Sequence, residues 1–196
     1  MFANRFTALI DACSLASTLK RNLLLTLAEA EFFRVRWSAQ ILDETERAIA
    51  RMATTKGHAD AVERGARART AMERAFEDAA VGDFELLLAA CSGLPDPGDA
   101  HVLAAAMKTQ AAMIVTENLR DFPAEVLGPL NIEAKSADAF LADTINLDVG
   151  RAVAALRIMR ERFRRPALTP DELLLKMEVE GLSETVDVLR AHSQSL

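Results

Sequence analysis

Residues 94–123, LPDPGDAHVLAAAMKTQAAMIVTENLRDFP, constrain the fold of this chain more than any other stretch. Asp96 and Asp99 stand three residues apart around Pro97 and Gly98, where a helix is about to start. The run Val102, Leu103, Ala104, Ala105, Ala106, Met107 has the small-residue, apolar density of a helix packed closely on a sheet. Ala112–Met113–Ile114–Val115–Thr116 is short, apolar and bounded by polar residues, as a buried strand is. Asn118 and Asp121 fall just past its end, ahead of Phe122 and Pro123. In an open α/β sheet, polar groups beyond the carboxyl ends of strands line the working crevice. The pattern therefore predicts that Asp99, heading a helix, meets Asp121, following a strand. Two carboxylates aimed into one crevice repel each other unless a cation or a proton intervenes, which points to a metal site.

The remaining segments continue the strand–helix alternation. Phe6–Ile10 reads as a strand ending on Asp11, followed by a helical pattern through Leu15, Leu19, Leu23, Leu24 and Leu27. Asp11 thus occupies the same kind of place as Asp121, though an aspartate there also serves as a helix cap. Phe33–Trp37 alternates as a second strand, and Ser38 caps a helix with the apolar face Ile41, Leu42, Thr45, Ala48, Ile49 and Met52. Glu44 lies on that helix; a lone helical glutamate is ordinarily a solvated surface residue. From His58 to Val81 the pattern is helical and densely charged with both signs, as in an exposed helix held by i,i+4 pairs, though its arginines could also face a phosphate backbone. Asn131–Lys135 predicts a further strand and Ser136 a cap for the helix carrying Phe140 and Leu141. Beyond a boundary near Asn146–Asp148, a helix from Val149 to Arg165 ends in Arg157, Arg160, Arg162, Arg164 and Arg165. Thr169–Pro170 starts another helix, Gly181 ends it, and Ser183–His192 forms the last. The alternation argues for an α/β fold with a mainly parallel sheet.

Several function classes are excluded. No GxGxxG or GxxxxGK[ST] phosphate loop, HExxH, CxxC or GxSxG elbow occurs, and three scattered histidines make no zinc cluster. An aspartyl-nucleophile phosphatase wants a second aspartate two residues after Asp11, where Cys13 stands. Cys13 and Cys91 lie far apart, as free thiols in a reducing cytosol do. Polar residues interrupt the N-terminal apolar run, and no apolar stretch approaches the roughly 18 residues of a membrane span, so a cytoplasmic protein is expected. The net charge of −6 leaves nucleic-acid affinity to local basic patches. What remains is carboxylates, and an oxygen-only site suits Mg²⁺ or Mn²⁺.

The blocks Phe6–Asp11, Trp37-Ser38-Ala39-Gln40-Ile41-Leu42-Asp43-Glu44, Asp96-Pro97-Gly98-Asp99-Ala100-His101 and Ile114-Val115-Thr116-Glu117-Asn118-Leu119-Arg120-Asp121, in that order, resemble a PIN domain. They are most similar to VapC-like proteins, the ribonuclease toxins of bacterial toxin–antitoxin pairs. The resemblance covers roughly residues 5–142. It implies a three-layer PIN-like nuclease domain over residues 1–147, with a small helical C-terminal extension over 148–196. It also implies a divalent-metal-dependent endoribonuclease leaving a 5′-phosphate and a 3′-hydroxyl, with an RNA substrate, a cognate antitoxin and room for a homodimer. A PIN-fold RNA-binding or scaffold protein without catalysis is the alternative. The implied metal-binding and catalytic residues are Asp11, Glu44 (Asp43 if the register slips by one), Asp99 and Asp121. Asp96 is a further candidate that also reads as the cap before Pro97. Thr116 and Asn118 match positions that hold Asp121 and line the site. Lys108, Arg120, Arg157, Arg160, Arg164 and Arg165 are the cations available to substrate phosphates.

Overall fold

The computed structural model describes residues 6–164 and 166–196. Arg165 and the first five residues of the expected domain lie outside the described residues. Thr7–Ile10 forms β1, and Ala8, Leu9 and Ile10 are fully enclosed, as central parallel strands covered on both faces are. Asp11 caps α1 (Ala12–Ala16), accepting from the Ala12 amide at 2.6 Å. The predicted helix from Ala12 onward is in fact two. Ser17 takes extended backbone and its hydroxyl accepts from the Lys20 amide, starting α2 (Thr18–Glu29).

β2 (Arg34–Ser38) runs parallel to β1, and the Ser38 hydroxyl caps α3 (Ala39–Thr55) through the Ile41 amide. α3 packs on α4 (Ala61–Ala75) as a helical hairpin. The two backbones approach closely at Gly65, where a Cβ would lie 2.6 Å from the Glu46 carbonyl oxygen. Arg69 reaches across from α4 to Asp43 and Glu46.

Where the charge pattern predicts one helix from 58 to 81, α4 stops at Ala75, and Ala80–Val81 forms β3 on the sheet edge. Its partners are Trp37 and Ser38 of β2. Phe76 leaves the helix because its ring packs edge-on against Trp37, with centroids 5.9 Å apart. That contact is non-local, so local charge periodicity carries no trace of it.

α5 (Ala100–Lys108) buries Val102 through Ala106 completely, the close helix-on-sheet packing that small residues permit. β4 (Met113–Val115), α6 (Ala124–Leu127), β5 (Glu133–Lys135) and α7 (Ala137–Asn146) follow. All five strands are parallel, in the order β3-β2-β1-β4-β5. The order reverses between β1 and β4, so the residues after those two strands share one crevice.

α8 (Val149–Arg162) packs on α2; α9 (Pro170–Val179) and α10 (Ser183–Arg190) close the chain, with α10 against α7. α8 ends before the predicted Arg165. Phe163 turns extended and the Arg160 guanidinium donates to the Leu168 carbonyl at 2.6 Å, folding the chain back. Thr169 and Glu172 form a reciprocal capping box at the start of α9, and Gly181, with φ +78°, ends that helix. α10 is capped from α7: buried Asp138 accepts from the Glu184 and Thr185 amides at 2.9 and 2.8 Å and from the Thr185 hydroxyl at 2.8 Å. No helix among the described residues is long and apolar enough to cross a membrane.

Candidate functional site

Three carboxylates meet in the crevice. Asp96, Asp99 and Asp121 each offer an oxygen, and these atoms lie within 4.8 Å of one another. Asp96 reaches this place from the turn before α5, where its Oδ1 also accepts from the Gly98 amide at 2.7 Å. Its two sequence readings, cap and candidate ligand, are therefore compatible. Asp99 has one oxygen, Oδ2, buried without a hydrogen-bond partner. Burial, then the charges of Asp11, Asp96, Asp121 and Glu44, push its carboxyl up to about 6. The other four acids thus stand within electrostatic reach of Asp99.

Asp11 and Glu44 face the triad but are held by other partners. Asp11 is buried; its Oδ2 accepts from the Thr116 hydroxyl at 2.8 Å and from the Cys13 thiol at 3.0 Å. Thr116 therefore orients Asp11 directly and meets Asp121 only through Asn118, whose amide N–H donates back to the Thr116 hydroxyl at 3.0 Å. The Asn118 side-chain amide donates to Asp121. Asp43 points elsewhere, paired with Arg69. Glu44 lies beside His101, with Oε1 3.3 Å from Nε2, and also accepts from the Gln40 side chain at 3.4 Å.

His101 and Cys13 are additions that the sequence did not single out. His101 is 6% exposed, and burial pulls its imidazole below the ordinary range against the opposing charges of Glu44 and Asp11. A neutral ring with its proton on Nε2 fits the contact with Glu44. The only available signal was its place two residues after Asp99, on the buried face of α5. Cys13 is exposed on its outer side, yet its sulfur sits between Asp11, the Thr116 hydroxyl at 3.2 Å and the Glu117 amide at 3.1 Å. Burial first and Asp11 second push the thiol to about 11, so it stays protonated at neutral pH and donates to the carboxylate. Glu117 closes the wall, paired with Lys20 at 2.7 Å and accepting from the Ala137 amide at 3.1 Å.

The predicted cations are dispersed. Arg120 adjoins Asp121 in the turn after β4 and is exposed. Lys108 closes α5 at the end away from Asp99, about 13 Å along the helix axis. Arg157, Arg160 and Arg164 belong to the end of α8 and the chain just after it, where Arg162 pairs with Glu29 at the close of α2. α2 leads there into the amino end of β2, the end of the sheet opposite the crevice. The structure does not bring these tail arginines to the acids.

Comparison with known proteins agrees with this architecture. The family model described as "PIN domain" matches residues 7–120, and one described as "VapC50 C-terminal domain" matches residues 137–191. The chain is 37% identical over 98 residues to "Putative ribonuclease VapC50" of Mycobacterium tuberculosis, a match covering 50% of this chain and 55% of that protein. The chain thus spans about half the length of this curated relative. No solved structure matches it. With strand order, crevice and a family model that covers more than half of its length all in agreement, the chain belongs to the PIN domain family.

Proposed function

We infer that this chain is a divalent-metal-dependent endoribonuclease, the cytoplasmic toxin of a type II toxin–antitoxin pair. The observation that carries the inference is Asp99, a carboxylate with an unpartnered buried oxygen inside a triad of acids. Such a group is stable only with a proton or a cation beside it. The donors are carboxylate oxygens, which suit Mg²⁺ or Mn²⁺; Asp96, Asp99 and Asp121 would hold the ion, with Asp11 and Glu44 facing it. When bound, the ion supplies Lewis-acid stabilisation of charge developing on a phosphodiester and eases deprotonation of the attacking water.

The protein's own side chains supply placement. Thr116 and Cys13 fix the Asp11 carboxylate, Asn118 orients Asp121, and His101 gives Glu44 a single direction. In the metal-free protein the Asp99 carboxyl keeps a proton up to about pH 6. RNA as substrate is supported by the relative's printed name, ribonuclease, and an antitoxin as partner by the resemblance to VapC-like toxins.

The test uses the purified chain and a single-stranded RNA with Mg²⁺, with Mn²⁺, or with EDTA. Cleavage to 5′-phosphate ends is expected only with the ions. Equal rates with chelator overturn the assignment, and RNA binding without cleavage under every condition moves the chain to a scaffold role.

A further inference from the structure

A groove of about 250 Å³ lies between the α1–α2 junction and the α3–α4 hairpin. Arg21, Lys56, His58, Arg64 and Arg67 line it, and no described carboxylate does, in a chain with 29 acidic against 23 basic residues. Arg21 is the innermost cation. Its guanidinium closes the end of α1 by donating to the Leu15 and Ala16 carbonyls at 2.7 and 3.4 Å, and no described carboxylate pairs with it. Arg64 and Arg67 share Asp60, at 2.8 and 2.9 Å, which holds both forks in one orientation while leaving positive charge in excess. Ile49, Met52 and Ala53 supply an aliphatic floor.

Two helices join the acidic crevice to the groove. α1 packs on α3, and both helices run from the acids toward the cations. Asp11 to Ala16 on one, and Glu44 to Ile49 on the other, each span about 7.5 Å of helix axis. A strand with one phosphate at the acids therefore meets the near end of the groove about 7.5 Å away and reaches Lys56, about 18 Å from Glu44 along the helix, with successive phosphates.

We propose that this groove holds backbone phosphates of the RNA strand on one side of the scissile bond. The proposal rests on the ribonuclease assignment above and names its substrate track. Arginine forks match phosphate oxygens in pairs, and such contacts fix register without reading sequence. The tail arginines lie toward the opposite end of the sheet, and none of them lines this groove.

The test measures affinity of the full-length protein for a labelled single-stranded RNA, in EDTA to hold off cleavage, across a salt series. Lys56→Gln/Arg64→Gln/Arg67→Gln is compared with wild type and with Arg157→Gln/Arg164→Gln. Each lost phosphate contact flattens the log–log salt slope by about 0.7, so the groove variant should be shallower by about 2 and the tail variant unchanged. Because two of the three arginine and lysine changes release Asp60, Lys56→Glu, which breaks no described ion pair, is measured alongside and should weaken binding at low salt. Mn²⁺ affinity, read by calorimetry, should be equal in all of them; intact Mn²⁺ binding with unchanged slopes overturns the groove while sparing the metal site. Selective binding of polyglutamate by wild type, with RNA slopes unchanged, overturns it in favour of an acidic peptide. Failure of the wild type to bind RNA at any salt removes the ribonuclease assignment and the groove together.

Discussion

Asp99→Asn separates the cost of the acidic crevice from its use. In the metal-free fold the Asp99 carboxyl is pushed from an ordinary 3.8 to about 6, by burial and then by four neighbouring carboxylates. At 1.36 kcal/mol per unit that shift has a ceiling of roughly 3 kcal/mol. Asp99 is only partly buried, and solvent screening lowers the figure to on the order of 1 kcal/mol. The folded state binds this proton more tightly than the unfolded chain does. Stability from this group is therefore fully present below about pH 4 and is lost as pH rises through about 6. Asparagine carries no charge to lose. In EDTA near pH 7.5 the variant should melt about 2–4 °C above wild type for each kcal/mol relieved, and near pH 4 the two should coincide. Saturating Mn²⁺ should reverse the order, since an ion that binds only the native state stabilises only the protein able to hold it. Differential scanning calorimetry across pH, with and without Mn²⁺, reads all three results. A variant that melts below wild type in EDTA at neutral pH, or a gap that does not change with pH, would refute the account of mutual repulsion.

Asp96→Asn should leave melting nearly unchanged, because asparagine caps about as well, while weakening Mn²⁺ binding measured by calorimetry. His101→Leu should lower the cleavage rate by at least tenfold at unchanged fold, with His101→Gln recovering part of it because an amide can still donate to Glu44; equal rates in both would remove the positioning role. Gly65→Ala forces a methyl against the Glu46 carbonyl and should cost about 1–3 kcal/mol in urea unfolding, loosening the helix that carries Glu44. Thr185→Val removes a hydroxyl donor from buried Asp138 and should destabilise by about 1–3 kcal/mol in the same assay.

The meeting of Asp99 and Asp121 was legible in the sequence because both signals are local: a Pro-Gly turn opening an apolar helix, and a short apolar strand with polar residues at its end. The parallel sheet was legible for the same reason. β3 was not, because two residues, Ala80 and Val81, become a strand only through the remote packing of Phe76 on Trp37. The break at Ser17 was hidden by the continuous leucine periodicity on either side of it. Asp96 could not be ranked from sequence, since cap and ligand require the same side chain at the same place. The basic groove was the least visible element. Arg21 belongs to one helix and Arg64 and Arg67 to another, each looking like ordinary solvated charge until the tertiary fold sets them around one space.

The capping of α10 by Asp138 also sets an order of events in biosynthesis. A chain made from its amino terminus presents α7, with its inward-facing carboxylate, before the residues that donate to it exist. Until Glu184 and Thr185 emerge, that carboxylate must stay hydrated, and α7 cannot settle fully against the sheet. The backbone amide of Ala137, one residue away, is what Glu117 grips at the crevice wall. The crevice wall therefore reaches its finished geometry only after residues 184 and 185 have been added to the chain.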